Sequence, residues 1–456
     1  MNNQSKKMEL LGSTSIPKAL LAMGIPTMIG MLVNAFYNLV DAYFVSGLGE
    51  RQMGAISVVY PLGQVVVGLG LLFGNGAASY ISRLLGREDR ENADKVASTA
   101  LYSSVSAGAV IIIIFMVFLH PILKLLGATD SILPYAATYA GIYIVSCIFN
   151  VFNVTMNNIV TSEGAAKTTM CALLMGAVLN IALDPLFIYV FDLGVAGAAI
   201  ATAISQVVST CVYLTYILRK KSVFHFRIRD CTYTKKLMSE IFKIGIPTLI
   251  FQILTSVSIS LINNAAGYYS DSAIAGMGVV TRLISMGSLS VFGFLKGFQP
   301  IAGYSYGAKK FDRLRETIKT SILWSTVFCV VFGLVLALFP AAIVSQFTKG
   351  DIEMIRIGAA SLRANGISIM FFGFHTVYSS LFLSLGKGKE GFILGACRQG
   401  ICFIPVILLL PMVWGLNGIL YAQPIADVLS AVITIFMAIP LHKKLNEIQK
   451  QTAAIQ

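Results

Sequence analysis

Twelve apolar stretches, each long enough to cross a bilayer, constrain this chain more than anything else in it. They run at roughly 16–46, 53–80, 96–120, 131–160, 167–191 and 194–218, then at 241–268, 272–300, 318–345, 355–384, 391–413 and 415–440. About 20 predominantly apolar residues span the hydrocarbon as a helix. In lipid the backbone must satisfy its own hydrogen bonds, so such stretches fold as helices. With 56% hydrophobic and 12% charged residues and a mean hydropathy of +0.78, the chain is too apolar for a soluble enzyme or nucleic-acid binder. The expected fold is an all-α polytopic membrane protein of twelve transmembrane helices.

The net charge of +13 could suggest nucleic acid, but its distribution argues otherwise. With loops assigned alternately to the two sides, 25 Lys and Arg fall on one side and only four (Arg51, Lys124, Lys349 and Arg356) on the other. The positive-inside rule makes the basic side cytoplasmic, so both termini are expected there, on a multi-pass protein of the cell membrane. The basicity is topological, and no nucleic-acid partner is expected. The seven cysteines, an odd number, lie mostly in apolar stretches without C-x-x-C spacing, so no disulfide framework is expected. Gly386-Lys-Gly388-Lys-Glu-Gly391 fits a dinucleotide-binding pattern but has no strand before it. With no catalytic signature and no large extramembrane loop, the chain is not expected to be an enzyme, and no cofactor is expected beyond a transported ion.

The sequence repeats itself. At a constant offset of 221, Gly24-Ile-Pro26-Thr27 meets Gly245-Ile-Pro247-Thr248, Gly76 and Gly86 meet Gly297 and Gly307, and Gly194 and Gly197 meet Gly415 and Gly418. Each repeat holds six spans. Six is even, so both repeats enter the membrane in the same sense, related by an axis along its normal, as in transporters built from two parallel bundles. The expected organisation is a cytoplasmic segment 1–15, an amino lobe 16–218, a cytoplasmic linker 219–240, a carboxy lobe 241–440 and a cytoplasmic tail 441–456. Two bundles around a midplane cavity suit alternating access. Pro26 and Pro247, at equivalent positions, each remove a backbone hydrogen bond at the same depth.

Ionisable groups inside hydrocarbon are costly and mark function by default. Asp41, Asp184 and Thr202 fall at similar depth, ~10 Å from the outer surface at 1.5 Å per helical residue. Tyr37 and Asp41, and Asn180 and Asp184, are i,i+4 pairs that share helix faces. Two carboxylates, an amide and a hydroxyl form an oxygen-rich set suited to a hard cation such as Na⁺, with Asp41, Asn180, Asp184 and Thr202 as ligands. The same carboxylates can instead share a proton, so Na⁺ and H⁺ both remain open as the coupling ion.

Together with Asn38-Leu-Val-Asp41, Asn180-Ile-Ala-Leu-Asp184-Pro185, Gly194-Val-Ala-Gly197 and Gln299-Pro300 followed by Tyr304-Ser-Tyr306-Gly307, the doubled opening motif gives a specific pattern. Over about 16–440 the chain resembles the multidrug and toxic compound extrusion (MATE) family. The resemblance implies two six-helix bundles in a V, a drug/cation antiporter, and an amino-lobe cation site at Asp41, Asn180, Asp184 and Thr202, with Tyr37 and Asn157 in the same polar network. It implies amphipathic organic cations as substrates. A sodium-coupled branch of the family also carries acids in its seventh and tenth spans; here those spans hold none outside their ends.

The carboxy half instead buries Arg282, Arg363 and Arg398 about 9 to 11 residues into their spans, and Asp427 in the last. One reading pairs Asp427 with an arginine as a structural bridge. The other places the arginines in the cavity to attract an anion, as in a flippase for lipid-linked cell-wall or polysaccharide precursors. Asn150, Asn153 and Asn157 form a stripe that either lines the cavity or bonds neighbouring helices. Lys296 and His375 are read as packing or snorkelling residues. A monomer in the lipid bilayer is expected.

Overall fold

The structure, a computed structural model, describes residues 3–348 and 351–453. Lys349, counted above in a loop, lies outside them, as do the extreme ends of segments 1–15 and 441–456. Apart from short connections and the stretch 219–234, which holds only the single turn Ile228–Asp230, the described chain is helical, without a strand. Its elements are α1 (Asn3–Gly12), α2 (Ile16–Ser46), α3 (Glu50–Gly86), α4 (Arg90–Val117), α5 (Leu119–Leu125), α6 (Leu133–Ser162), α7 (Ala166–Pro185) and α8 (Gly194–Leu218). The second half continues with α9 (Lys235–Gly267), α10 (Asp271–Gly307), α11 (Phe311–Leu338), α12 (Pro340–Ser345), α13 (Ile352–Ser384), α14 (Gly388–Ala396), α15 (Phe403–Trp414) and α16 (Leu416–Ala453). Twelve spans are long and apolar enough to cross a membrane, Gly388–Trp414 counting as one.

Three details depart from the sequence expectation. The polar start of the chain is itself a helix, α1. The ends of the third and ninth apolar stretches break off as the short helices α5 and α12. Two spans are also interrupted by π-helical turns: Leu186–Val190 after Pro185, whose ring removes an amide donor, and Cys397–Ile401 around Arg398.

The six spans of each half pack as a bundle, and the bundles meet along α2 against α10, and α3 against α9 and α10. The repeated glycines form much of this seam. A Cβ on Gly86 would lie 2.1 Å from the Tyr304 carbonyl oxygen, and one on Gly307 would lie 2.1 Å from that of Arg83, so the same close approach occurs twice. Around it Arg83 pairs with Glu240 at 2.8 Å and Ser79 donates to the Leu383 carbonyl at 2.5 Å. Farther along the seam, Gln252 Nε2 donates to Gln64 Oε1 at 2.9 Å. Among the described residues no hydrogen bond joins the lobes beyond that mid-depth pair. The hydrogen bonds that seal the seam therefore gather at the end that carries both termini and the basic loops and thin out towards the other.

Helix α1 straps the sealed end. Lys7 donates to Glu163, 3.1 Å away, to the Tyr216 hydroxyl, and to the Lys221 carbonyl at 2.6 Å. Burial pulls the Lys7 ammonium below its ordinary range, against the opposing pull of Glu163. Past the first lobe, Arg313 donates to the carbonyls of Leu10, Leu11 and Thr14, and Lys310 to that of Gly12. Exposed apolar side chains such as Ile113, Val331 and Phe436 cover the outward faces of the spans, where lipid lies.

Candidate functional site

The first lobe brings α2 and α7 together, and with them Asp41 and Asp184. Their carboxyl groups are close neighbours, near enough to share one proton or one cation. Asn180 Nδ2 donates to Asp184 Oδ1 at 3.3 Å, as the i,i+4 spacing predicts. Asp184 and Asn180 are 0% and 1% exposed. Three buried oxygens of this cluster, Asp41 Oδ1, Asp184 Oδ2 and Asn180 Oδ1, have no hydrogen-bond partner. Buried polar atoms are rarely left so. Tyr37 lies within electrostatic reach of both acids, as does Tyr139. Thr202 is buried on α8, which packs against α7, but no hydrogen bond ties its hydroxyl to the acids.

Asn153 and Asn157 are drawn into other contacts. Asn153 donates to the Gln206 carbonyl and side-chain oxygens at 2.9 and 2.8 Å and accepts from Thr210 at 2.9 Å. Asn157 donates to the Tyr213 hydroxyl at 3.2 Å and accepts from Lys296 at 2.5 Å, across the lobe interface. Of the alternatives for the asparagine stripe, bonding between helices holds for both. Neither hydrogen-bonds the acid pair.

Lys296 corrects an expectation: it does not snorkel to a membrane surface. Gly293 and Gly297 press α10 onto α2, a Cβ on Gly297 falling 2.5 Å from the Gly24 nitrogen, and Lys296 between them is turned into the space between the lobes. There it lines a cavity of about 530 Å³ formed mainly by α9, α10, α13 and the last two spans, with Tyr60, Asn75 and Asn158 from the first lobe. That is the size of a drug-sized ligand site.

The carboxy-half charges separate. Arg398 Nε donates to Asp427 Oδ1 at 2.9 Å, and the guanidinium lies 4.4 Å over the Phe372 ring. Asp427 also accepts from Gln423 at 2.8 Å and Ser368 at 3.1 Å, so both its oxygens are partnered. This is the paired reading of Asp427. Arg282 and Arg363 are exposed and do not line the cavity; of the three arginines only Arg398 does. His375 is buried and bonds Thr434 at 2.8 Å. Sequence reasoning missed Gln206, the partner of Asn153, although the 221 offset that reveals the repeat aligns it with Asp427.

Two helical bundles that meet along a glycine-lined seam, with a central cavity between them, have the architecture of a polytopic membrane transporter. The MatE family model matches residues 26–186 and again 247–409, once in each half. The chain belongs to the MATE family. It is 30% identical over 430 residues to the multidrug export protein MepA of Staphylococcus aureus strain MSSA476, covering 94% of this chain and 95% of that protein. To the MepA of Staphylococcus haemolyticus it is 31% identical over 434 residues, 95% of each chain. Among solved structures it resembles a MATE in complex with MaL6, with a TM-score of 0.92 and 25% identity over 97% of this chain and 99% of that one. It also resembles an outward-facing multidrug resistance MATE transporter of the MOP superfamily, with a TM-score of 0.91 and 26% identity over 97% and 99%.

Proposed function

We propose that this protein is a cation-coupled antiporter that exports amphipathic organic cations from the cell. The observation that carries the reading is the pair of touching, buried carboxyls, Asp41 and Asp184, with unpartnered oxygens inside the membrane. An uncompensated acidic pair at that depth exists to hold an exchangeable cation. Asp41, Asp184 and Asn180 offer oxygens that suit Na⁺, with Thr202 nearby on α8, and the two carboxyls alone suit a single shared proton. The MepA relatives, named as multidrug export proteins, support drugs as the cargo.

With the basic loops and both termini in the cytoplasm, the sealed end faces inward and the cavity outward. The ion enters from outside to Asp41 and Asp184 and changes the packing of α2, α7 and α8, lowering affinity for the drug. The drug leaves, the lobes rock, the glycine seam opens, and the ion is released inside. Coupling requires the ion and the drug to prefer different states, since equal affinity for both shifts nothing. One chain holds both lobes and the cavity between them, so a monomer suffices.

Ethidium efflux from energised inverted vesicles, driven separately by imposed Na⁺ and H⁺ gradients, tests this. Wild type should export under one gradient, and Asp41→Asn and Asp184→Asn should fail at equal expression. Mutants that export as well as wild type would overturn the coupling site. A lipid-linked anion as cargo would instead draw on Arg282, Arg363 and Arg398, of which the first two lie outside the cavity lining and the third is paired with Asp427.

A further inference from the structure

Helix α1 belongs to neither bundle, yet it is bonded to both. Its first half is clamped to the first lobe through Glu163, which is fully buried and accepts from Lys7 at 3.1 Å, Ser222 at 2.9 Å, the Val223 amide at 2.6 Å and the Tyr216 hydroxyl. Its last turn faces the second lobe. The final carbonyls of a helix have no partner within it. Here those of Leu11 and Gly12 accept from Arg313 at 3.1 Å and Lys310 at 2.9 Å, and the Thr14 carbonyl just beyond accepts from Arg313 at 2.6 Å. Two cations from the other lobe thus serve as the C-cap of α1, at the end where the helix dipole favours positive charge. The fit is close: a Cβ on Gly12 would fall 2.8 Å from the Tyr304 ring of α10, and Leu11 is fully buried in the apolar cluster that α2 shares with the second lobe. The second repeat has no such strap. At the offset of 221, α1 corresponds to residues 224–233, which form only the turn Ile228–Asp230 and bond the first lobe through Asp94, Thr99 and Tyr102. Ser162-Glu163-Gly164 likewise aligns with Ser384-Leu385-Gly386, so the clamping carboxylate occurs once.

We propose that α1 is a latch on the movement of the lobes: it holds the end that carries both termini shut, and that end opens only when Arg313 and Lys310 release its carbonyls. The inference rests on the export reading above, in which the lobes rock, and adds the element that sets how readily they do so. Only residues 13–15 join α1 to α2 of the first lobe. Rocking therefore carries α1 with the first lobe and leaves the clamp at Glu163 whole. The separation falls on the other half, at the cap. A helix of ten residues is marginal on its own in water, so α1 without its cap loses its last turn, and reclosing restores it. Losing one hydrogen bond to a charged group shifts such an equilibrium by about tenfold or more.

Double electron–electron resonance on the protein in detergent reads the opening directly. Spin labels are attached through Glu91→Cys in the first lobe and Lys389→Cys in the second, both exposed at the sealed end, in a chain whose seven native cysteines are replaced by serine. The distances are read without gradient or drug, so they do not depend on transport. The otherwise unaltered chain should show mainly the short, closed separation. Deleting residues 3–12, and separately Arg313→Ala, should raise the ratio of the longer to the shorter separation at least about tenfold. Arg313→Lys, which keeps the charge but loses the fork, should fall between. Separations unchanged in both the deletion and Arg313→Ala would overturn the proposal. So would a shift in Arg313→Ala that the deletion does not reproduce, since Arg313 would then act without α1. If these shifts appear while wild type exports no dye under either gradient, the antiport reading falls and the latch is supported.

Discussion

In the first lobe Asp41 and Asp184 face one another with an oxygen of each unpartnered; in the second, Asp427 is bonded through both oxygens to Arg398, Gln423 and Ser368. The two lobes are repeats of one pattern, and Gln206 stands in the first where Asp427 stands in the second. One lobe leaves its buried acids short of partners, which suits exchange with a mobile cation. The other satisfies its acid, which suits a fixed framework around a cavity whose one free charge, among the described residues, is a base. Burial of a charge alone therefore says little about its role; whether the neighbours complete its bonding says more.

The contrast can be broken most sharply at Asp41. Asp41→Asn should abolish gradient-driven dye efflux yet leave the midpoint of thermal unfolding unchanged or raised, because it removes an uncompensated charge. A large drop in that midpoint would make the pair structural. In the second lobe the outcome should be the reverse. Asp427→Leu should destabilise the protein by about 3–5 kcal/mol by stranding Arg398, while Arg398→Met/Asp427→Leu recovers most of the loss and keeps the ion dependence of transport. A double variant as unstable as the single would end the claim of mutual compensation.

The seam is where the lobes should still behave alike. Gly86→Ala and Gly307→Ala place equivalent methyls against equivalent carbonyls, so each should cost about 1–3 kcal/mol in chemical unfolding. A cost confined to one of them would show that the repeat symmetry no longer governs closure. The smallest effect belongs to Ser79→Ala, which removes one bond to the Leu383 carbonyl across the seam and should cost about 1 kcal/mol in the same measurement.

Much of this was legible in the residues because hydropathy and the 221-residue repeat are long-range signals. They fix twelve spans and their pairing into bundles whatever the details of packing. Asp41, Asn180 and Asp184 were legible because acids are rare in hydrocarbon and helical spacing gives their depth. Lys296 was not: hydropathy places it near the end of a span, and only the contact of Gly293 and Gly297 with α2 turns it inward. Arg282, Arg363 and Arg398 share a similar depth in the sequence, but rotation about the helix axis, which tertiary packing decides, puts only Arg398 on the cavity. The separation of Asn157 from the acid pair has the same cause, since its partner Lys296 comes from the other lobe.

The strap helix α1 bears on how the molecule is made. It is synthesised before the twelve spans that follow it, yet its partners arrive in two instalments: Glu163 and Tyr216 with the first bundle, Lys310 and Arg313 only after eight of those spans have been produced. During synthesis α1 can dock on half of its site but cannot tie the bundles together. The closure of that end is thus completed late in biogenesis, and a nascent chain halted after the first bundle would expose the surface that α1, α10 and α11 later cover.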